Sequence, residues 1–199
     1  MIKTTAMLLE ELKDYSSPAN KLARMVQSGI YYPLVKGIYE TDLSTPGYLL
    51  AGSIYAPSYL SFEFALAYHG LIPEAVYTFT SATFEKKKKK TYKNQFGTFT
   101  YRDVPSEVYS LGVNLIQEGD YYCMIASAEK ALCDQLYKLP PVCNQKELIN
   151  LLFDDLRIDH QEWNKLNKND ILTLAEKYRC TNVQKLCQLI RRNKSLWTQ

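Results

Sequence analysis

The residues best suited to chemistry lie in Ser16–Glu40, SSPANKLARMVQSGIYYPLVKGIYE. Spacings of three and four place Asn20, Arg24 and Gln27 on one stripe of a helix, with Lys21 and Ser28 beside it. Arg, Asn and Gln are the side chains that bond base edges bidentately in a major groove. Lys21 suits a phosphate, as does Ser17 at the helix start. Tyr31, Tyr32 and Lys36 fall on a hairpin that follows, where a wing meets the minor groove or phosphates. No acidic residue occurs between Ser16 and Tyr39, so nothing there repels a polyanion. A solvated helix face gives the same polar stripe, and that alternative stands beside the DNA-reading one.

Other groups compete for a function. The run Lys86, Lys87, Lys88, Lys89 and Lys90 is the densest charge in the chain. These are candidate phosphate contacts, or else lysines that keep a loop soluble or guard a sheet edge. Glu85 and Lys87 fit the tail of a metal-dependent nuclease motif, but no further carboxylate stands at a telling spacing. Glu129, Lys130 and Asp134 share a helix on which Lys130–Asp134 and Asp134–Lys138 form i,i+4 pairs. His69 ends an apolar helix and reads as a packed histidine. Arg191, Arg192 and Lys194 complement the dipole of the last helix.

The elements that must position these groups follow from caps and periodicity. Thr4 or Thr5 caps a first helix with Leu8, Leu9 and Leu12 on one side. Ser17-Pro18 starts a second, with Ser17 accepting from the first-turn amides and Ala19, Leu22, Ala23 and Val26 as its buried stripe. Gly29 ends it, and Lys36-Gly37 turns a short hairpin between Ile30–Val35 and Ile38–Thr41. Helices are predicted after Thr45-Pro46 and after Ser61. The segments EAVYTFTSATF and QFGTFTYRDV read as two strands of one antiparallel sheet, with the lysine run between them. YYCMIA is a further strand and SAEKALCDQLYKL a helix capped by Ser127. From Pro140 the chain is helical, with capping boxes at Asn144/Glu147 and Asp159/Glu162 and a last helix burying Val183, Leu186, Cys187 and Ile190.

Bulk properties narrow the class. The net charge of +3 arises in the last third, where ten basic side chains meet seven acidic; residues 1–60 and 61–140 are balanced. Only local patches therefore argue for nucleic acid. The five cysteines contain no C-x-x-C pair and, with two histidines far apart, predict free buried thiols and no metal. No apolar run approaches the ~20 residues of a membrane span. A soluble cytoplasmic protein without a cofactor or a membrane partner is expected.

The stretches SPANKLARMVQSGIYYPLVKGIYE, APSYLSFEFALAYHGLIPEAVYTFTSATF, FGTFTYRDVP and IASAEKALCDQLY together resemble the AbiEi-type antitoxins of bacterial type IV toxin–antitoxin systems. The similarity runs from about Leu8 to the final helix. It implies an N-terminal winged helix-turn-helix that binds inverted repeats in its own promoter as an autorepressor. It also implies a C-terminal domain needed for antitoxicity and a nucleotidyltransferase-like toxin as functional partner, without a stable complex. Carried onto this chain, the reading helix is Ser17–Ser28 and the wing Ile30–Thr41, while Glu129, Lys130 and Asp134 become candidates for the antitoxin role. Met1–Tyr15 is a shorter helical lead-in than the family's usual one.

The expected fold class is thus α+β. Residues 1–42 form a winged-helix DNA-binding domain. Residues 43–199 form an α+β domain with an antiparallel sheet and a helical region from about 140. The rival to a DNA-binding regulator is a protein-interaction module that antagonises a toxin without touching DNA. A metal-dependent nuclease is the remote third, and no enzymatic activity is expected.

Overall fold

The protein, described here over residues 1–192 as a computed structural model, is a mixed α+β structure with two sheets. Lys194 lies outside the described residues. The chain opens with β1 (Ile2–Thr4), α1 (Thr5–Glu11), α2 (Pro18–Gln27) and the hairpin β2 (Tyr32–Val35) and β3 (Ile38–Glu40). Thr4 is the cap of α1, its Oγ1 accepting from Met7 N. Strand β1, too short to show a period, pairs antiparallel with β3 and makes a three-stranded sheet in the order β1-β3-β2.

Helix α2 is stopped as its glycine predicts. Gly29 takes φ +70°, Ile30 N donates to Met25 O at 2.9 Å, and Gly29 N to Val26 O at 3.2 Å. That pair of bonds satisfies carbonyls the last turn would leave bare. Gly37, at φ +85°, makes the hairpin turn, and its carbonyl accepts from Thr5 N at 2.9 Å, tying the tip to the start of α1. Register slips between Pro33 and Val35, so Leu34 is the extra residue of a bulge. The bulge delivers Leu34 to the main core, away from the small cluster of Leu8, Leu12, Leu22 and Tyr31 that holds the two helices.

The second sheet has six strands in the order β6-β7-β5-β4-β9-β8, formed by β4 (Tyr59–Leu60), β5 (Thr78–Thr83), β6 (Lys90–Asn94), β7 (Gly97–Asp103), β8 (Val113–Glu118) and β9 (Tyr121–Ala126). The sheet is mixed, which corrects the antiparallel expectation. β5 pairs parallel with β7 and β4 parallel with β9; the other pairs are antiparallel. The chain leaves β5 through the lysine loop and forms the edge strand β6. It then turns at Asn94–Gly97, where Phe96 N donates to Asn94 Oδ1, and returns as β7 between the two. Alternation shows which face a strand buries, not which neighbour it takes.

Helices cover both faces of this sheet. On β7, Tyr101 OH donates to Ala51 O in α3 (Gly47–Ile54), while the next residue, Arg102, reaches Glu63 in α4 (Phe62–Tyr68) on the opposite face. Helix α5 (Ala128–Lys138) packs beside α4, capped by Ser127 Oγ accepting from Lys130 N at 3.2 Å. Beyond it come α6 (Gln145–Asn150), a single π turn, α7 (His160–Lys165), α8 (Lys168–Ala175) and α9 (Thr181–Arg192). Asn144 Oδ1 accepts from Glu147 N, and Asp159 Oδ1 from Gln161 N and Glu162 N, so both N-caps form; the expected boxes do not close, since Glu147 accepts from Cys143 N and Asp159 N donates to Leu71 O. Helix α9 buries Val183, Leu186, Cys187 and Ile190. Cys123, Cys133 and Cys187 are buried free thiols, whereas Cys143 is exposed ahead of its helix, contrary to expectation.

The N-terminal helices and hairpin are bolted to this body. Leu34 is buried in the main core, with Ile2, Val35 and Ile38 packed against it. Asn94 Nδ2 donates to Leu34 O at 3.1 Å, and Tyr121 OH donates to the buried Glu40 at 2.9 Å. Among the described residues no helix is long and apolar enough to cross a membrane.

Candidate nucleic-acid interface

Helix α2 is ten residues, roughly 15 Å of axis. Its buried stripe differs from the expected one. Leu22 is buried with Met25 and Val26 packed beside it, while Ala19 and Ala23 are exposed. Alanine adds little by burial, so the larger Met25 takes the inward position and rotates the helix slightly. The outward face therefore consists of Ala19, Asn20, Ala23, Arg24, Gln27 and Ser28. The two alanines leave it low between longer polar side chains. A helix face of that relief admits a groove floor closely, and alanine suits a thymine methyl.

The polar groups of this face are largely unspent. Among the described residues, the side chains of Asn20, Arg24 and Gln27 make no hydrogen bond or ion pair within the protein. Ser28 Oγ donates to Met25 O at 3.2 Å, leaving its oxygen free to accept. Lys21 is half-buried, its ammonium 4.8 Å from the centre of the Tyr15 ring, so the charge is held at one edge of the face. Ser17 holds the N-cap position but its side chain makes no capping bond, which corrects the expected cap; Lys21 N instead donates to Ser17 O at 3.0 Å. With φ −147° and ψ 85°, and Pro18 lacking an N–H, the hydroxyl is left off the helix. It stays available with the first-turn amides, the arrangement that binds phosphate at helix N-termini.

The hairpin contributes less than its sequence suggests. Tyr31 is a core residue, packed with Leu8, Leu12 and Leu22, and offers no surface to DNA. Tyr32 sets its ring edge-on to Phe96 at 6.3 Å between centroids, which makes it a joint between the hairpin and the β6–β7 turn rather than part of a wing tip. Lys36 remains exposed at the turn. The candidate interface reduces to Ser17, Asn20, Lys21, Arg24, Gln27 and Ser28, with Lys36 on the hairpin. The acids of α1 are partly answered nearby: Lys3 pairs with Glu11 at 2.7 Å and Lys13 with Glu10 at 2.8 Å.

Two of the three candidates on α5 belong to the interior. Lys130 and Asp134 are fully buried. Asp134 Oδ1 accepts from Lys130 Nζ at 2.8 Å and from Tyr178 OH; Oδ2 accepts from Ser61 Oγ at 2.7 Å and Tyr59 OH at 2.9 Å. Burial pushes the Lys130 ammonium below its ordinary value and Asp134 beside it opposes the shift. Burial pushes Tyr59 and Tyr178 up, and the Asp134 charge adds to that. The expected Asp134–Lys138 pair is absent among the described residues because Asp134 has no acceptor site left. Ser61 explains itself by the same network: it starts α4 without a side-chain capping bond because its hydroxyl is donated to Asp134. Glu129 accepts from Asn167 N at 2.9 Å and so fastens the start of α8. Lys130 and Asp134 tie helices together inside the protein, and the half-buried Glu129 does so from nearer the surface.

The lysine run divides. Lys86 donates to Ala56 O at 3.1 Å over the Tyr55 ring and is spent inward. Lys87, Lys88 and Lys89 are exposed on the loop, and Lys90 opens the edge strand β6. Asp103, the carboxylate next to Lys87, accepts from Thr83 Oγ1 and Lys87 N, both at 2.6 Å. Among the described residues no three His, Cys, Asp or Glu side chains gather as metal ligands; the carboxylate that does stand beside Lys87, Asp103, spends its two oxygens on Thr83 and the Lys87 amide. His69 Nε2 lies 2.7 Å from Ala126 O, a packed ring as expected. No protein-family model matches this chain, and no curated protein matches it.

Proposed function

We propose that this chain is a DNA-binding transcriptional autorepressor that reads duplex DNA through α2, and the antitoxin of a type IV toxin–antitoxin pair. One observation supports the first half best: α2 turns Asn20, Arg24 and Gln27 outward, unbonded, on a face without an acid. In this reading α1 and α2 are the helix pair of a winged helix, α2 enters the major groove, and Ser17, Lys21 and Lys36 hold phosphates. The antitoxin half rests on sequence resemblance to AbiEi-type proteins, with a nucleotidyltransferase-like toxin as functional partner.

Fluorescence anisotropy with the chain's own promoter, comparing wild type with Lys21→Ala/Arg24→Ala, tests the DNA reading. The double variant should bind at least tenfold more weakly, since a base-edge contact alone contributes about 1–3 kcal/mol. Equal binding by both proteins removes α2 as the reader.

A second reading, an interaction module that does not use DNA, has its own support. Leu115, Tyr122 and Met124 are exposed on the β8–β9 hairpin, where Leu115 stands opposite Met124 on an edge strand. Deleting residues 1–42 would not separate the two readings, because Leu34 and its neighbours cover the main core. Co-expression of a toxin with full-length Lys21→Ala/Arg24→Ala does separate them. Relief of the growth defect by a variant that no longer binds promoter DNA places antitoxicity in the body.

A further inference from the structure

Three segments far apart in sequence meet at a hollow of about 400 Å³: Lys87, Lys88 and Lys89 from the β5–β6 loop, Arg102 and Asp103 from the end of β7, and Lys138 from the last turn of α5. Its size lies at the small end of ligand pockets, ~300–1,000 Å³. We propose that this hollow binds a terminal phosphate group, carried by a phosphomonoester or a polyphosphate.

The charge balance is one-sided. Five cations line the hollow against one carboxylate. That carboxylate is committed, because Asp103 spends one oxygen on Thr83 Oγ1 and the other on Lys87 N. Among the described residues Lys87, Lys88, Lys89 and Lys138 make no ion pair. Crowding like charges around a concavity raises its potential, and an anion is what lowers it. Burial pushes the Lys138 ammonium below its ordinary value, and Arg102 nearby adds to that while Asp103 opposes it.

The walls are fixed rather than loose. The Arg102 guanidinium lies 4.3 Å from the Phe62 ring centre and pairs with Glu63, while its Nε is buried without a partner. A buried donor left unmade is costly. Among the described residues, left-handed non-glycine backbone occurs at Lys87, which lines the hollow, at Phe62, whose ring lies against Arg102, and at Glu85, two residues before Lys87, each at φ 55°. Such conformations persist where the surroundings impose them, and they gather at ligand sites.

The geometry favours a terminal phosphate over a passing backbone. A terminal phosphate carries about −1.5 to −2 charge and three acceptor oxygens, which suits several converging ammoniums. A diester linkage offers a single charge. The hollow also lies beyond the Lys90 end of β6, whereas the N-terminal unit touches the Asn94 end through Leu34, so the α2 face and the hollow are separate places.

Isothermal titration of the full chain with inorganic tripolyphosphate, and separately with ATP, tests the proposal. Saturable one-site binding is expected. It should weaken about tenfold or more in Lys88→Gln and in Lys138→Gln, each removing a charge-assisted bond, and stay unchanged in the exposed control Lys177→Gln. Thermal unfolding of each variant confirms that it is folded. Equal affinities for the two ligands identify the phosphates as what is bound; tighter ATP identifies a nucleotide as the source, and both support the site. Absent saturation overturns it, as does equal weakening in Lys177→Gln. An oligonucleotide without terminal phosphates that binds more tightly through the same lysines also overturns it, in favour of a diester surface.

Discussion

Helices α2 and α5 carry similar polar spacing and use it in opposite ways. On α5, Lys130 and Asp134 point inward and saturate each other together with Tyr59, Ser61 and Tyr178. On α2, Asn20, Arg24 and Gln27 point outward and saturate nothing. The difference lies in what surrounds the stripe. Helix α5 has apolar residues on most of its circumference, with Ala131, Leu132, Cys133 and Leu136 all buried, so even its charged pair is enclosed. Helix α2 buries only Leu22 fully, and the rest of its surface is left to water or to a ligand. A polar stripe is a candidate site when the helix has an outside, and a structural tie when it has none.

Substitutions should separate the two helices sharply. The largest effect is expected from Asp134→Ala, which leaves Lys130 buried without its carboxylate and strips an acceptor from three hydroxyls. Breaking one side of a buried pair costs about 3–5 kcal/mol, to be read as a fall in urea midpoint or outright loss of folded protein. Lys130→Met/Asp134→Leu should recover part of that loss. A midpoint unchanged in Asp134→Ala would break the comparison.

Next in size is Arg24→Ala. It should cost about 1–3 kcal/mol of promoter affinity while shifting the unfolding free energy by less than ~0.5 kcal/mol, as for an exposed site. Parallel anisotropy and denaturation measurements show whether function and stability separate on α2 as they cannot on α5.

A smaller effect concerns Glu63, a carboxylate between the interior and the surface. Burial pushes its carboxyl up, but the Arg102 guanidinium, the backbone and Gln135 together more than offset this and leave it below the ordinary value. With the folded value lowered, the unfolded chain binds the proton first as pH falls. The stabilisation is present above the usual carboxylate range near ~4.3 and is lost as pH drops through the folded value. The unfolding free energy of Glu63→Gln, followed by denaturant titration at stepped pH, should slope less steeply with acid than wild type.

The smallest effect is expected from Lys21→Ala, which in the proposed DNA reading removes a single phosphate contact. Affinity should weaken alike for cognate and unrelated duplexes, and the slope of log affinity against log salt should fall by about one. A loss confined to the cognate sequence would move Lys21 from phosphate to base.

Much of this was legible because the signals are local. Gly29, Lys36-Gly37, Ser127 and the N-caps Asn144 and Asp159 each encode their turn within five residues, and the structure forms each of them. What depended on distant partners was not legible. Nothing near Ser61 announces that its hydroxyl belongs to Asp134, and nothing near Tyr31 says that α1 covers it. The parallel pairing of β5 with β7 depends on a strand, β6, whose lysines disguise it as a loop. For the α2 face, spacing marks the polar residues, but the same periodicity puts Ala19 and Ala23 inside, because it counts apolar character and not size. The lysine hollow needed Lys138 and Arg102, which only the fold brings to Lys87.

One more consequence follows from the short strand β4. Leu60 is bonded into the sheet on one side by β5 and on the other by Ile125 of β9. At the usual ~5–20 residues per second of synthesis, Ile125 leaves a ribosome several seconds after Leu60. Through that interval the α1–α2 unit has emerged, yet the core on which Leu34 rests is unfinished. The α1–α2 unit is thus made before the core that seats it.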